Sequence, residues 1–203
     1  MSTKTYIFFV GLLLICGVAI AQNGPYKLGI KTSINLSTML GSELENPRPK
    51  YGYTAGAYLI KQNKKNWTYY AEAVASFRGA RFNNGDTGYS KIASFYVDAA
   101  FLPTYKPNDN SSVSFGPYGS FLGLSSLFVG DQRKSELNDI GIAPFDAGLA
   151  TYYHIHKKLV IYQFGVKVGI LDVNDSVNFE GYFPETGNGG SITNLSFEIG
   201  LLF

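Results

Sequence analysis

Apolar and polar residues alternate along most of this chain. Over residues 26–37, Leu28, Ile30, Ile34 and Leu36 fall on one parity and Lys27, Gly29, Lys31, Ser33 and Asn35 on the other, the period of a two-faced strand. Over 51–61, Tyr51, Tyr53, Ala55, Ala57 and Leu59 oppose Gly52, Thr54, Gly56 and Tyr58. From residue 67 the faces are Trp67, Tyr69, Ala71, Ala73, Ala75 and Phe77 against Tyr70, Glu72, Val74, Ser76 and Arg78. Residues 93–106 set Phe95, Val97, Ala99, Phe101, Pro103 and Tyr105 opposite Ser94, Tyr96, Asp98, Ala100 and Thr104. Residues 113–125 are rich in Gly and Ser and predict a strand whose phase the pattern does not fix. The alternation returns over 143–155, 159–171 and 192–203, where Asp146, Lys167 and Glu198 each lie on the face opposite the large apolar side chains. The pattern predicts eight strands in all.

The connections alternate as well. Residues 38–50, 127–141 and 172–191 are long links and 82–90 a middling one, whereas 62–66, 107–112 and 156–158 are short. Long loops on one end and tight turns on the other are the asymmetry of an outer-membrane barrel. Strands of this length also satisfy the ~9–11 residues a tilted strand needs to cross a bilayer.

Composition sharpens the question of which face points inward. Charged residues are only 16% of the 203, against roughly 25% in ordinary soluble domains. The few charges are segregated: Lys31, Glu72, Arg78, Asp98, Asp146, Lys167 and Glu198 share one parity set with Gly, Ser and Ala, while the other set is uncharged. A soluble exterior does not require that exclusion. Hydrocarbon does, at about 2–4 kcal/mol for a Lys or Arg at mid-depth. The charged set is therefore expected inside, as a lumen network that plugs the barrel by salt bridges. On the uncharged face Tyr51, Tyr53, Phe77 and Phe145 toward the long loops, and Trp67, Tyr69, Tyr105, Tyr153 and Phe203 toward the turns, form two expected interfacial girdles. A soluble periplasmic lipid-binding barrel would use the same aromatics as core and charge its exterior.

The first segment reads as an address. Lys4, an apolar run over 6–20 and Ala19-Ile20-Ala21 make a cleaved secretory signal peptide over 1–21, leaving 22–203 as the barrel domain. About fifteen apolar residues fall short of a helical span. The single cysteine, Cys16, lies within that peptide, so the mature chain is expected to carry neither disulfides nor thiolate ligands. A net charge of +2, with no basic run longer than Lys64-Lys65 or Lys157-Lys158, gives no footprint for nucleic acid.

Several stretches in order resemble the outer-membrane β-barrel domain family of Bacteroidetes-type bacteria, which includes the PorT-like proteins. They are Leu28-Gly29-Ile30-Lys31 through Asn35-Leu36-Ser37, Ala71-Glu72 leading to Phe77-Arg78-Gly79-Ala80, Phe95-Tyr96-Val97-Asp98 leading to Leu102-Pro103, Gly116-Pro117-Tyr118, and a last strand ending in Phe203. The chain departs from the family at Asp98-Ala99-Ala100, where Ile-Pro often follows the acid. The resemblance implies the fold and an outer-membrane location. It also implies that Phe203, a terminal aromatic, is the insertion signal read by the barrel-assembly machinery. It implies little about activity; one PorT-like branch is linked to secretion and gliding.

Candidate chemistry is sparse. His154 and His156 share a face at a turn and with the acids suggest a metal site or a Ser-His pair, but no third ligand is evident and polar turn residues at a water interface are the simpler expectation. Asp172, Asn174 and Asp175 offer oxygen ligands without the glycine an EF-hand loop needs. Residues 187–190 are a Gly-rich loop without the Lys-Ser/Thr of a phosphate loop. The expectation is an all-β, eight-stranded antiparallel transmembrane up-and-down β-barrel without cofactor, metal or catalytic residue. Its partners would be outer-membrane lipid, the assembly machinery and a protein docked on the extracellular loops 38–50, 127–141 and 172–191. An outer-membrane lipid-modifying enzyme is the alternative, and would need a Ser-His-acid cluster at the outer rim.

Overall fold

The computed structural model describes residues 26–41, 47–62, 66–83, 89–129, 132–136, 142–173 and 191–203. The expected signal peptide and parts of the long loops lie outside the described residues. The strands are β1 (Tyr26–Gly41), β2 (Arg48–Gln62), β3 (Trp67–Asn83), β4 (Tyr89–Asn108), β5 (Ser111–Val129), β6 (Gln132–Glu136), β7 (Phe145–His156), β8 (Ile161–Gly169) and β9 (Ile192–Leu202). All pairings are antiparallel, and β9 returns to β1. Eight strands thus close an up-and-down barrel, with β6 outside it, paired only to the far end of β5. At the seam Ile30 and Phe203 exchange both backbone hydrogen bonds, at 3.1 and 2.9 Å, so the ladder is closed to the last residue. Closure leaves no edge of unpaired amides, which hydrocarbon would penalise by several kcal/mol per group.

The strands are longer than the alternation predicts, reaching 20 residues in β4 and 19 in β5. Parts of the expected loops 38–50, 82–90 and 127–141 are therefore strand: β1 continues to Gly41, β3 and β4 extend to Asn83 and from Tyr89, and β6 lies inside 127–141. In the other direction, β7 begins at Phe145 and β8 spans only Ile161–Gly169.

The cause of the missed extensions is a reversal of polarity along the strands. On β3 the outward series Trp67, Tyr69, Phe77 gives way to exposed Arg81, while the inward series Glu72, Ser76, Arg78 gives way to buried Ala80 and Phe82. On β4 the outward series runs from Phe95 to Lys91 and the inward one from Ser94 to buried Ile92. The two switches are in register, because Arg78 pairs Ser94, Ala80 pairs Ile92 and Arg81 pairs Lys91. Just below this level the wall is polar inside and apolar outside; above it the ordinary soluble arrangement returns. Ten residues separate Trp67 from Phe77; at about 3.4 Å per residue and a tilt near 40° they span about 26 Å, close to the ~25 Å of a barrel's apolar band.

The unsettled phase of 113–125 has a local cause. Phe95 pairs Leu124 and Tyr96 pairs Leu122, leaving Gly123 as an extra residue, and the inward parity moves from Leu122 to Ser125 across it. This is a β-bulge, and a side chain there would press on the Phe95 ring. A second irregularity lies in β2 between Pro49 and Thr54. There Ser37, on β1, reaches Gly79 of β3: its hydroxyl accepts from the Gly79 amide at 2.9 Å and lies 3.0 Å from the Gly79 carbonyl. A lumen side chain thereby satisfies backbone groups that the interrupted ladder leaves over.

Candidate functional site

Inward parity delivers one or two charged side chains from each of six strands to one level of the lumen. Lys31 of β1 places Nζ 2.7 Å from Glu72 Oε2 and 2.5 Å from Glu198 Oε1. Lys167 of β8 lies 3.1 Å from Asp98, 3.2 Å from Glu72 and 4.0 Å from Glu198. Arg78 of β3 lies 2.5 Å from Asp98 and 3.9 Å from Asp146. All seven predicted lumen residues are thus brought into one connected network, each at most 4% exposed.

Unpaired buried charges would be prohibitive, so the second layer of partners matters. Tyr152 and Tyr70 donate to the two Glu72 oxygens at 2.7 and 2.8 Å. Ser33 donates to Glu198 at 2.6 Å, Ser76 to Asp98 at 3.0 Å and Asn194 to Asp146 at 3.0 Å. The Arg78 guanidinium lies 4.3 Å from the Tyr96 ring centroid and donates to Ser120 at 2.9 Å. Alternation alone puts these tyrosines on the inward face; which carboxylate each one serves depends on barrel closure, which brings Tyr152 to Glu72 from 80 residues away.

Two further layers close the ends. Toward the long-loop end Met39, Phe82, Ile92, Tyr96, Leu122 and Leu127 form a buried apolar cluster with Ile142, Val173 and Ile192. This plug was not legible in the alternation, because its residues follow the reversal and the Gly123 bulge. Toward the short turns Tyr58, Tyr70, Tyr118 and Tyr152 pack with Ala100, Leu102, Ala150 and Leu202. An outer-face hollow of about 650 Å³ is bordered by Ile34, Tyr51, Phe164 and Phe197.

The histidines correct one expectation. His154 is not a turn residue in water: its inward parity buries it at the short-turn mouth, 3% exposed, with its ring 5.3 Å from Tyr70. His156, nearer the rim, has Nε2 2.8 Å from Ser112 Oγ, and His154 Nδ1 lies 3.4 Å from Ser114 Oγ. Among the described residues no carboxylate is hydrogen-bonded to either imidazole, so the Ser-His pair lacks the acid of a triad. No group of three metal-ligating side chains occurs among the described residues. Asp172 caps the Ile192 amide at 2.8 Å, while Asn174, Asp175 and 187–190 lie outside the described residues.

The predicted girdle residues Tyr51, Tyr53, Trp67, Tyr69, Phe77, Tyr105, Phe145 and Tyr153 are all exposed on the outer face, as is Phe203. Cross-strand partners reinforce both rings, with centroids 5.3 Å apart for Trp67 and Tyr105 and 5.1 Å for Phe77 and Phe95.

No protein-family model matches the sequence, and no curated protein matches it. Similar solved structures exist, at the level of fold. Neisserial surface protein A shares 10% identity over 87% of this chain and 97% of its own, with a TM-score of 0.49. The attachment invasion locus protein Ail of Yersinia pestis shares 10% over 86% and 95%, TM-score 0.45. The outer membrane protein OprG of Pseudomonas aeruginosa shares 12% over 87% and 92%, TM-score 0.44. The closed eight-stranded antiparallel barrel of this chain is shown by its own strand pairing.

Proposed function

We propose that this chain is an integral outer-membrane protein, exported by its signal peptide, with a sealed lumen and no catalytic role, that works by docking a protein partner on its extracellular loops. The observation that carries the proposal is the polarity reversal: a belt of about membrane height is neutral outside and charged inside, and it ends at one level on adjacent strands. A soluble lipid carrier needs an apolar lumen, and here the mid-lumen holds seven paired charges. A pore needs an open path, and the salt bridges, the apolar plug and the tyrosine layer fill it. What remains for function is the outer end. The sequence resemblance to PorT-like barrels makes a component of the envelope secretion machinery the first partner class to test. Phe203, outward-facing beside the closing seam, suits recognition by the barrel-assembly machinery during insertion.

The test has two parts. Purified protein in planar bilayers passes no steady ionic current; a stable conductance contradicts the sealed lumen. In cells, an epitope inserted beside Asn188 is labelled from outside without permeabilisation, and deletion of 174–190 abolishes partner cross-linking while the barrel still shows a boiling-dependent gel shift. Labelling only after permeabilisation, or cross-linking untouched by every loop deletion, contradicts docking at the outer end.

A further inference from the structure

Above the upper aromatic ring the outward face of β2, β3 and β4 turns from neutral to cationic within four residues. Arg48 pairs in register with Arg81, and Arg81 with Lys91. The three cations therefore form a row across neighbouring strands, about 5 Å apart from strand to strand. Lys91 is fixed over the Phe128 ring at 4.7 Å. Half-buried Lys50 lies close enough to feel the charges of Arg81 and Lys91. A hollow of about 300 Å³ opens here, lined by Arg48, Arg81, Phe82, Tyr89 and Lys91. Among the described residues no carboxylate forms a salt bridge with Arg48, Lys50, Arg81 or Lys91.

Like charges directly opposite one another destabilise a sheet, so a row of three calls for an anion. Its depth says which. Arg81 is four residues beyond Phe77, about 10 Å higher at a tilt near 40°, and its long side chain can reach back to the headgroup layer. The geometry points to a binding site on the outer wall for the phosphorylated headgroup of an outer-leaflet lipid. The cations hold the phosphate through charge-assisted hydrogen bonds, the hollow takes the sugar or glycerol that bears it, and the apolar wall below takes the acyl chains. This rests on the proposed membrane orientation and adds to it a ligand of stated chemistry, held by Arg48, Arg81 and Lys91 with Lys50 behind them.

The full chain, folded in neutral detergent, is mixed with either a diphosphorylated glucosamine lipid or its dephosphorylated form, and retained lipid is counted by native mass spectrometry. The phosphorylated lipid is retained at least about tenfold more tightly, and the double variant Arg81→Gln/Lys91→Gln loses about 30-fold. Lys61→Gln, a cation at the opposite rim, changes nothing. A boiling-dependent gel shift for every variant confirms that the barrel is intact. Equal retention of the two lipids, or a double variant that binds like the parent, overturns the site while leaving the barrel standing. Displacement by an equal concentration of inorganic pyrophosphate also overturns it, since the anion then comes from solution. A chain that fails to fold in detergent contradicts the membrane proposal itself.

Discussion

Replacing Lys167 with methionine keeps the stem's volume and removes one charge from the middle of the lumen network. The ammonium lies 3.1 and 3.2 Å from Asp98 and Glu72 and 4.0 Å from Glu198. Without it Arg78 is the one cation left beside Asp98 among the described residues, while Glu72 and Glu198 must share Lys31. Four carboxylates then face two cations in a space from which all seven side chains exclude water. Breaking a buried pair by removing one partner costs about 3–5 kcal/mol. With a urea slope of about 2 kcal/mol per molar, the unfolding midpoint in detergent falls by about 1.5–2.5 M. Adding Glu72→Gln removes one of the three carboxylates that Lys167 served, so the double variant recovers part of the deficit, with a coupling of about 1–3 kcal/mol. Lys61→Met, on the exposed end of β2, is the control. A midpoint lowered by less than about 0.3 M, the size of an ordinary surface change, or a double variant whose losses simply add, refutes the claim that Lys167 holds these acids together.

Three other substitutions probe different parts of the molecule. Ala99→Lys, exposed at mid-height on β4, destabilises the protein in bilayers by about 2–4 kcal/mol; a shift within about 0.5 kcal/mol, as at a water-facing site, contradicts a hydrocarbon exterior. Ile92→Ala, fully buried in the upper plug, costs about 2–5 kcal/mol in the same urea titration, whereas no change contradicts a packed seal. Phe203→Ala leaves the detergent-folded midpoint within about 1 kcal/mol of the parent, because its main chain makes the seam bonds, yet lowers the amount assembled in cells, as quantitative blotting of outer-membrane fractions measures. Undiminished assembly contradicts the insertion role of the side chain.

Period two was enough to sort the two faces between Trp67 and Phe77 and their neighbours, because polar and apolar side chains alternate there without interruption. The seven charges from Lys31 to Glu198 expected in the lumen network are all buried, whereas Lys106, on the same parity as Asp98 but at the strand end, is part-exposed. The same rule lost the upper strands, where the polarity of the two faces reverses and inward residues become Ile92 and Phe82 rather than Ser94 and Arg78. It also lost the phase of β5, since a single extra residue at Gly123 exchanges the faces. His154 was misplaced because nearness to a turn says less about exposure than parity does. Which tyrosine serves which acid, and that Arg48, Arg81 and Lys91 form a row, depend on register between strands, which no single strand's pattern contains.

The sole tryptophan of the chain offers the most direct measurement of which face meets lipid. Trp67 is exposed on the outer wall at the lower aromatic ring, against Tyr105. In vesicles doped with brominated phospholipids its fluorescence is quenched, more strongly by bromines near the acyl carbonyls than by bromines near the bilayer centre, and it is shielded from aqueous iodide. Full quenching by iodide with no response to brominated lipid would mean that the neutral face meets water, and the barrel would not be a membrane protein.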